Sequence, residues 1–206
     1  MNTCKCGAEL NSEITVCLAC RKKEAKEAIT PADVLPKIIP PVIMRQLGKN
    51  PKLNPAITGS NKSFFLTGSA GIGKSHQAAI LMYQHCVEQG RGVRAAWVNV
   101  PKLLFDIRQT FQNKWDGAET EGQLVKCYSE SNWLCLDDLG VEKSSDFALQ
   151  TLYLIINERY EQERTTVITS NLDLLALSEK MGDDRLTSRI AGMCQTVELE
   201  GKDRRE

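Results

Sequence analysis

Short apolar runs alternate with longer amphipathic segments from about residue 60 to the end of the chain. Strands are predicted at the apolar or β-branched runs, which are 64–66, 95–98, 133–136, 165–169 and 196–199. Helices are predicted where the intervening segments have apolar positions at helical spacing, over 74–89, 101–112, 145–163, 172–180 and 184–191. Residues 113–121 are predicted to form a loop. Strands that alternate with helices predict an α/β fold, with a mostly parallel sheet sandwiched by helices.

The N-terminal part of the chain has a different pattern. Residues 1–23 carry four cysteines, and residues 24–59 combine a charged stretch with several prolines, which interrupt long helices. We therefore predict three parts: a small cysteine-bearing unit at 1–23, a helical and proline-rich linker at 24–59, and an α/β domain at 60–206.

Composition and charge exclude some classes of function. The chain has 206 residues, with 26 basic and 26 acidic side chains, so its formal net charge is zero. Proteins that bind duplex DNA through overall charge are usually basic, so any nucleic-acid contact must come from a local patch. No apolar run approaches the roughly 20 residues of a membrane span, and the N-terminus does not resemble a signal peptide. We expect a cytoplasmic protein without a membrane partner.

Four of the eight cysteines cluster at the N-terminus as Cys4-x-Cys6 and Cys17-x-x-Cys20. Four thiolates at such paired spacings suit a tetrahedral, structural Zn²⁺ site. A segment this short cannot bury a core, so the metal would supply the folding energy. The alternative is four unligated thiols in a tail. The other cysteines lie in apolar stretches and are predicted to be buried: Cys86, Cys127, Cys135 and Cys194.

A glycine-rich segment between the first strand and first helix of the domain fits the phosphate-loop pattern G-x-x-x-x-G-K-[ST]. Its residues are Gly68, Ser69, Ala70, Gly71, Ile72, Gly73, Lys74 and Ser75. Glycines let successive backbone N–H groups turn toward phosphates, and the following helix adds its positive N-terminus. Lys74 is expected to reach the β- and γ-phosphates of a nucleotide, and the Ser75 hydroxyl to bind Mg²⁺. The alternative is a chance glycine-rich turn.

Two carboxylates follow the third apolar run, at Asp137 and Asp138. After a phosphate loop, one carboxylate at such a strand end holds hydrated Mg²⁺, and we assign this role to Asp137. The next carboxylate can orient or deprotonate the attacking water, and we assign this role to Asp138. The alternative is a pair of solvated acids in a turn.

Polar residues further along the chain are weaker candidates. Asn171 follows the fourth run, where it could face the γ-phosphate or instead cap the next helix. Arg185 and Arg189 lie four residues apart on a predicted helix. An arginine projected into a neighbouring subunit can stabilise transition-state charge, whereas the alternative is a surface arginine paired with Asp183 or Asp184.

The order of these segments resembles the DnaC/DnaI replicative helicase loaders and the related IstB transposition ATPases, both of the AAA+ class. The resemblance covers about residues 60–205 and rests on GSAGIGKS, LCLDDLG, VITSN, DRLTSRI and VELEGKDR in that order. It implies an ATP- and Mg²⁺-dependent ATPase that binds single-stranded DNA and a replicative helicase. The compact chain looks like a phage or prophage version.

The resemblance also implies residue roles. Asn171 would be sensor 1, and an arginine acting in trans would make the protein self-associate, with Arg189 preferred and Arg185 second. Most AAA+ proteins have glutamate at the position of Asp138. The chain ends shortly after the last predicted strand, so no helical lid is expected, and a sensor 2 arginine at Arg204 or Arg205 is doubtful.

Three functions are compatible with these observations. The leading hypothesis is a helicase loader whose N-terminal zinc unit binds the helicase. The second is an IstB-like transposition helper ATPase, and the third is a zinc-anchored, nucleotide-sensing adaptor without turnover. Single-stranded DNA sites combine basic and aromatic side chains, but the aromatic residues here are first expected to be core. The candidates are Lys102, Phe105, Arg108, Phe111, Lys114 and Trp115.

Overall fold

The computed structural model describes residues 2–3, 9–10, 39–47, 52–89, 94–110, 120–201 and 203. Its strands are β1 (Asn2–Thr3), β2 (Glu9–Leu10), β3 (Phe64–Thr67), β4 (Ala95–Asn99), β5 (Trp133–Leu139), β6 (Thr165–Ser170) and β7 (Gln195–Glu198). Its helices are α1 (Pro41–Leu47), α2 (Lys74–Gln89), α3 (Val100–Thr110), α4 (Glu121–Glu130), α5 (Asp146–Glu161), α6 (Leu174–Met181) and α7 (Arg185–Met193).

Five of these strands form one parallel sheet in the order β4-β5-β6-β3-β7. The sheet confirms the predicted α/β class. Strand β3, which precedes the phosphate loop, pairs with β6 on one side and β7 on the other. Strand β5 is the other neighbour of β6. The carboxyl ends of β3, β6 and β5 therefore lie side by side, where open α/β sheets bind their ligands.

Helices cover both faces of the sheet, because successive strand residues point to opposite faces. Phe64 and Leu66 of β3 pack with α1 and α2, whereas Phe65 packs in a second core with α3, α5 and α7. The same alternation separates Val167 from Ile168 in β6. Each of these side chains is fully buried, so the sheet is enclosed and its strands are apolar over most of their length.

Two helices had not been predicted. Helix α4 starts at Glu121, within the segment predicted to be a loop. Thr120 caps it reciprocally, because its hydroxyl accepts from the Gln123 N–H while its own N–H donates to Gln123 Oε1 at 2.8 Å. The T-x-x-Q spacing of this capping box is the feature of the sequence that indicates the start of a helix here.

The second is α1, which lies inside the predicted linker 24–59 and packs on α2. Ile39, Ile43 and Leu47 are buried in the same cluster as the α2 side chains. The hydrophobic core therefore extends N-terminal of residue 60, beyond the predicted domain boundary.

Several predicted ends shift by a few residues. Strand β5 continues through both aspartates to Leu139, so these acids lie in the strand rather than in a turn. Helix α5 stops at Glu161, two residues early, because Glu163 adopts a left-handed φ of 50°. Helix α6 starts at Leu174 rather than at residue 172, because Asp173 is its N-cap.

The N-terminal cysteine unit mostly lies outside the described residues. Strands β1 and β2 pair antiparallel, but Cys4, Cys6, Cys17 and Cys20 are not among the described positions, and their zinc site stays a prediction. Arg204 and Arg205 also lie outside them. Three of the four cysteines predicted to be core are buried, whereas the prediction for Cys127 is wrong, because it is exposed on α4. None of the helices that the structure describes is long and apolar enough to cross a membrane.

Candidate nucleotide-binding site

The loop between β3 and α2 turns through three glycines with positive φ. The φ angles of Gly68, Gly71 and Gly73 are 131°, 78° and 101°, in the region that favours glycine. Ile72, only 5% exposed, anchors the loop in the core. The loop leads directly into α2, so backbone N–H groups and the positive helix end face the same space. This geometry suits a phosphate group.

Lys74 folds back over this loop. Its Nζ donates to the carbonyl oxygens of Gly68 at 2.7 Å and Ser69 at 2.6 Å. The residue is buried despite its charge. A lysine ammonium has three donors on a flexible stem, so it can exchange these carbonyl oxygens for phosphate oxygens.

Asp137 lies directly behind the start of α2. Its Oδ1 accepts a hydrogen bond from Ser75 Oγ at 2.7 Å and another from Thr169 Oγ1 at 2.7 Å. Burial raises the pKa of Asp137, and the two hydroxyl hydrogen bonds oppose this shift. A hydroxyl and a carboxylate in contact are the hard oxygen donors that Mg²⁺ prefers, usually together with substrate phosphates and water. The donor set therefore fits Mg²⁺.

Asp138 has a strained backbone. Its φ is 62°, in the left-handed region, and the register of β5 against β6 shifts between Leu136 and Leu139. Its N–H donates to Thr169 Oγ1 at 2.9 Å, and Asn99 Nδ2 donates to its Oδ2 at 3.0 Å. Strain of this kind persists where surrounding contacts determine it, and here Thr169 and Asn99 hold the backbone and the carboxylate respectively.

A cavity of about 570 Å³ brings the phosphate loop, Asp138 and Asn171 together. Its lining residues are Val42, Ile43, Gln46, Ala70, Gly71, Gly73, Lys74, Ser75, His76, Asp138 and Asn171. Asp137 does not line the cavity, because it lies behind Ser75. The predicted residues Gly68, Ser69 and Ile72 shape the loop without lining the cavity.

Asn171 is exposed and faces this cavity. The alternative that it caps the following helix is wrong, because Asp173 is the N-cap of α6. The Asp173 carboxylate accepts from the Ala176 N–H at 2.8 Å. The Asn171 amide is therefore not used in capping that helix.

Arg185 and Arg189 do not line this cavity of their own chain. Both lie on α7, which packs against α5. Arg185 Nε donates to Asp183 Oδ2 at 2.9 Å, so the pairing considered as an alternative does form for Arg185. Arg189 Nε donates instead to Asn157 Oδ1 at 2.9 Å.

A second cavity, of about 650 Å³, lies at the amino ends of the strands, away from the phosphate loop. Lys62 and Arg164 line it together with Glu161 and Glu163, so charges of both signs alternate there. None of the motif residues reaches it. We therefore place the chemistry at the phosphate-loop cavity.

Sequence reasoning missed Thr169, Asn99 and the α1 residues Val42 and Gln46. Thr169 lies near the end of β6, where a threonine has no distinctive pattern. Asn99 reaches Asp138 only through the pairing of β4 with β5. Helix α1 is separated from the phosphate loop by more than twenty residues. No local signal distinguishes these residues, because their role comes from the fold.

The chain is similar to IstB-like ATP-binding proteins, to replicative helicase loaders and to an insertion sequence ATP-binding protein. A family model described as IstB-like ATP binding protein matches residues 54–206. The replicative helicase loader DnaC of Escherichia coli K12 is 24% identical over 140 residues, which cover 68% of this chain and 55% of DnaC. An insertion sequence ATP-binding protein of Sinorhizobium fredii, y4pL, is 28% identical over 141 residues, 66% of this chain and 54% of that protein.

Among solved structures, a crystal structure of the DnaC helicase loader aligns with a TM-score of 0.56 and 24% identity, over 87% of this chain and 99% of that chain. This likeness shows that the two chains share their fold. The chain spans about half the length of the curated relatives it matches. Because the family model covers well over half of the chain, and because its phosphate loop, Asp138 and Asn171 share one cavity, the protein belongs to the IstB-like ATP-binding proteins.

Proposed function

We propose that this protein is a cytoplasmic ATPase that loads a replicative helicase onto single-stranded DNA. The observation that carries the proposal is the cavity in which the phosphate loop meets Asp138 and Asn171. The similarity to the DnaC loader supports the helicase as partner. The proposal needs both the cavity and this similarity, because the cavity alone would suit a nucleotide-binding protein of any function.

Four polar residues of the cavity, and Asp137 behind Ser75, have a proposed role in ATP hydrolysis. Lys74 would bind the β- and γ-phosphates. Ser75 and Asp137 would hold Mg²⁺, whose positive charge would offset the charge of the phosphates. Asp138 orients the attacking water as a general base. Asn171, exposed at the same cavity, contacts the γ-phosphate or that water.

Helix α1 supplies the remaining wall of the cavity, and we propose that the base of the nucleotide lies against it. Val42 is 50% exposed and lines the cavity, so its apolar surface is accessible to a ligand. Gln46 lines the same wall and carries an amide that both donates and accepts. An apolar surface with one convergent amide suits a purine ring.

The Asp138→Asn substitution tests whether the cavity hydrolyses ATP. The variant should bind ATP with nearly unchanged affinity and lose turnover by about 10²–10⁴-fold, which is the usual contribution of a general base. Turnover equal to that of the wild type would contradict the role. If neither protein hydrolyses ATP, with or without single-stranded DNA and helicase, the adaptor without turnover is the better function.

The helicase role has its own experiment. The purified full chain is mixed with the replicative helicase of its host, and complex formation is measured by size-exclusion chromatography with light scattering. We expect an ATP-dependent complex and stimulated turnover when single-stranded DNA is added. No complex at micromolar concentrations would contradict the loader function.

Helix α3 supports a contact with single-stranded DNA. Phe105 is 59% exposed, so its predicted core position is wrong, while Leu103 and Ile107 fill the core instead. Arg108, one turn further, lies over the Phe147 ring, with its guanidinium carbon 4.9 Å from the ring centroid. An exposed ring beside a cation at helical spacing suits stacking on a base.

We expect Phe105→Ala to weaken single-stranded DNA binding, since stacking contributes about 1–3 kcal/mol per base. Leu154→Ala is the matched control, because Leu154 is equally exposed on α5. Affinities are compared by fluorescence anisotropy with a labelled oligonucleotide. Equal losses in the two variants would remove α3 from the interface. The candidates Phe111, Lys114 and Trp115 lie outside the described residues.

The N-terminal unit is proposed to bind Zn²⁺ through Cys4, Cys6, Cys17 and Cys20 and to contact the helicase. The support is the spacing of the cysteines. Metal analysis of the purified protein should find one Zn²⁺ per chain, and Cys17→Ser should make the N-terminus protease-sensitive. A metal-free protein with an unchanged digestion pattern would contradict the site.

Transposition is the second candidate function. It is favoured by the family match and by the similarity to the insertion sequence protein y4pL. A transposition helper should bind duplex DNA and recruit a transposase, whereas a loader should prefer single strands. Competition between duplex and single-stranded oligonucleotides therefore separates the two functions.

A further inference from the structure

The two arginines of α7 have different electrostatic surroundings. The Asp183 carboxylate accepts hydrogen bonds from both Nε and Nη2 of Arg185. This ion pair within the chain offsets the positive charge of Arg185. Arg189 forms no ion pair with any carboxylate of the described residues, and its Nε donates to the neutral amide oxygen of Asn157 at 2.9 Å. Among the described residues, the nearest carboxylate reached through this contact is that of Glu161, which binds the Asn157 amide and not Arg189 itself. Arg189 therefore lacks a directly bound carboxylate, and it is the better candidate to bind an external anion.

Two residues of α5 fix the Arg189 side chain. Its guanidinium carbon lies 4.9 Å from the centroid of the Tyr160 ring, so the cation packs on the ring face. Asn157 is one turn before Tyr160, so both residues lie on the same face of α5. A guanidinium has five N–H donors, and one of them is used by Asn157. The Nη groups are left to bind a phosphate in a fork geometry.

Neighbouring residues determine the side-chain positions of Asn157 and Tyr160. Asn157 Nδ2 donates to Glu161 Oε1 at 2.8 Å, which determines that the amide oxygen faces Arg189. Gly192 lies under the Tyr160 ring, where an added Cβ would be 2.9 Å from Tyr160 Cε2. The ring can take this position because residue 192 has no side chain.

We propose that Asn157 and Tyr160 are positioning residues, which hold Arg189 ready to contact the phosphates of a nucleotide bound to a second copy of the chain. The inference rests on the proposed ATPase function. A neutral amide at 157 matters, because a carboxylate there would pair with Arg189 and neutralise it. The ring at 160 orients the guanidinium without reducing its charge.

The test compares turnover and nucleotide affinity in full-length variants with saturating Mg²⁺-ATP. Asn157→Asp and Tyr160→Leu should each lower kcat at least tenfold, as Arg189→Ala does, while the Kd for ATP changes less than twofold. Tyr160→Phe keeps the ring face and should restore most of the kcat. Thermal melting curves identify any variant whose loss comes from unfolding.

Mixing experiments separate the inference from the function on which it rests. Arg189→Ala and Asp138→Asn chains, each inactive alone, should regain turnover when mixed, because one supplies the arginine and the other the carboxylate. Wild-type kcat in Arg189→Ala would overturn the trans arginine itself. Wild-type kcat in Asn157→Asp and Tyr160→Leu, with Arg189→Ala inactive, would overturn only the positioning role. Equal losses in Tyr160→Phe and Tyr160→Leu would also overturn the role of the ring.

Discussion

Asn99 and Asp138 are joined across neighbouring strands by a hydrogen bond of 3.0 Å from Nδ2 to Oδ2. Asn99 is the last residue of β4, and the Asn99 backbone pairs in register with Asp137. The proposed general base therefore has one carboxylate oxygen fixed by an amide on the adjacent strand. Its backbone N–H is fixed by Thr169 on the strand on the other side.

We expect Asn99→Ala to lower kcat at least about tenfold, since a general base contributes about 10²–10⁴-fold only when it is correctly placed. The Kd for ADP should stay within twofold, because Asn99 does not line the cavity. Turnover is measured by phosphate release and the Kd by calorimetry. Asn99→Gln is the control, because it keeps the amide group but places it one methylene further from the backbone. Unchanged kcat in Asn99→Ala would show that the hydrogen bond has no part in turnover.

A side chain at Gly71 of the phosphate loop would have to displace the Asp203 carboxylate. A Cβ atom placed there would lie 1.9 Å from Asp203 Oδ1, and its φ of 78° is in the left-handed region. That backbone alone costs a non-glycine residue about 1–2 kcal/mol. The free loop of Gly71→Ala can relax out of this conformation, and nucleotide binding must then restore it. Gly71→Ala should therefore weaken ATP binding by up to roughly 5–30-fold.

The double variant Gly71→Ala/Asp203→Gly separates the two causes. It removes the steric contact with Asp203 but keeps the backbone strain, so we expect partial recovery of ATP affinity. Full recovery of ATP affinity would show that the steric contact with Asp203 causes the whole loss of binding in Gly71→Ala. A single Gly71→Ala variant that binds as tightly as the wild type would contradict the close approach of Asp203 to the loop.

The parts of the site that could be predicted share one property: their chemistry follows from local sequence. The residues from Gly68 to Ser75 need a strand before them and a helix after them, and both are visible in the apolar pattern. Asp137 and Asp138 follow an apolar run. In contrast, Thr169 and Asn99 became recognisable only when β5 was found between β6 and β4.

The helices that were missed have short or weak patterns. Helix α1 has seven residues between prolines and a region of loop chemistry, and it is stabilised by packing on α2 rather than by its own propensity. Helix α4 has one buried residue, Ser129, so its apolar stripe is faint. Its capping box was visible but stood beside residues predicted to be a loop.

Arg159 joins α5 to α4 and β6 and is completely buried. Its Nη1 donates to Tyr128 O at 2.9 Å and Ser131 O at 2.8 Å, and its Nη2 donates to Thr165 O at 2.6 Å. Burial lowers the pKa of Arg159 to about 9. Its Nε donates to the Thr166 hydroxyl at 2.8 Å, so its partners are carbonyl and hydroxyl oxygens of a buried region. The side chain therefore satisfies acceptors that water cannot reach.

Arg159→Met keeps the volume but leaves these carbonyls unpaired, each at a cost of about 1–3 kcal/mol. We expect the free energy of unfolding to fall by at least about 3 kcal/mol, measured by urea denaturation. Arg164→Met is the matched control, with an expected loss of about 1 kcal/mol, because Arg164 is partly exposed and donates to one carbonyl, Ser129 O. Similar losses in the two variants would contradict the role of Arg159 as a buried clamp.

His85, on the buried face of α2, makes stability depend on pH. Burial lowers the pKa of His85, and the nearby Glu88 opposes this shift. Its Nδ1 lies 2.8 Å from Asn61 Oδ1 and must donate to that acceptor, which leaves Nε2 as the nitrogen that a second proton would occupy. Nε2 is buried and has no hydrogen-bond partner among the described residues. Protonation in the folded state would therefore place an unpaired N–H in the core.

Above the unfolded-state pKa of about 6.5, His85 is neutral in both states and has no effect on the pH dependence of stability. As the pH falls below that value, the unfolded chain binds a proton that the folded chain resists, so stability falls by up to about 1.4 kcal/mol per pH unit until the folded pKa is reached. We expect urea midpoints to drop between about pH 7.5 and about pH 5.5 more in the wild type than in His85→Gln. The comparison with His85→Gln removes the contribution of the carboxylates, which titrate in both proteins. Identical pH slopes in the two proteins would mean that His85 accepts its second proton as readily in the folded core as in the unfolded chain.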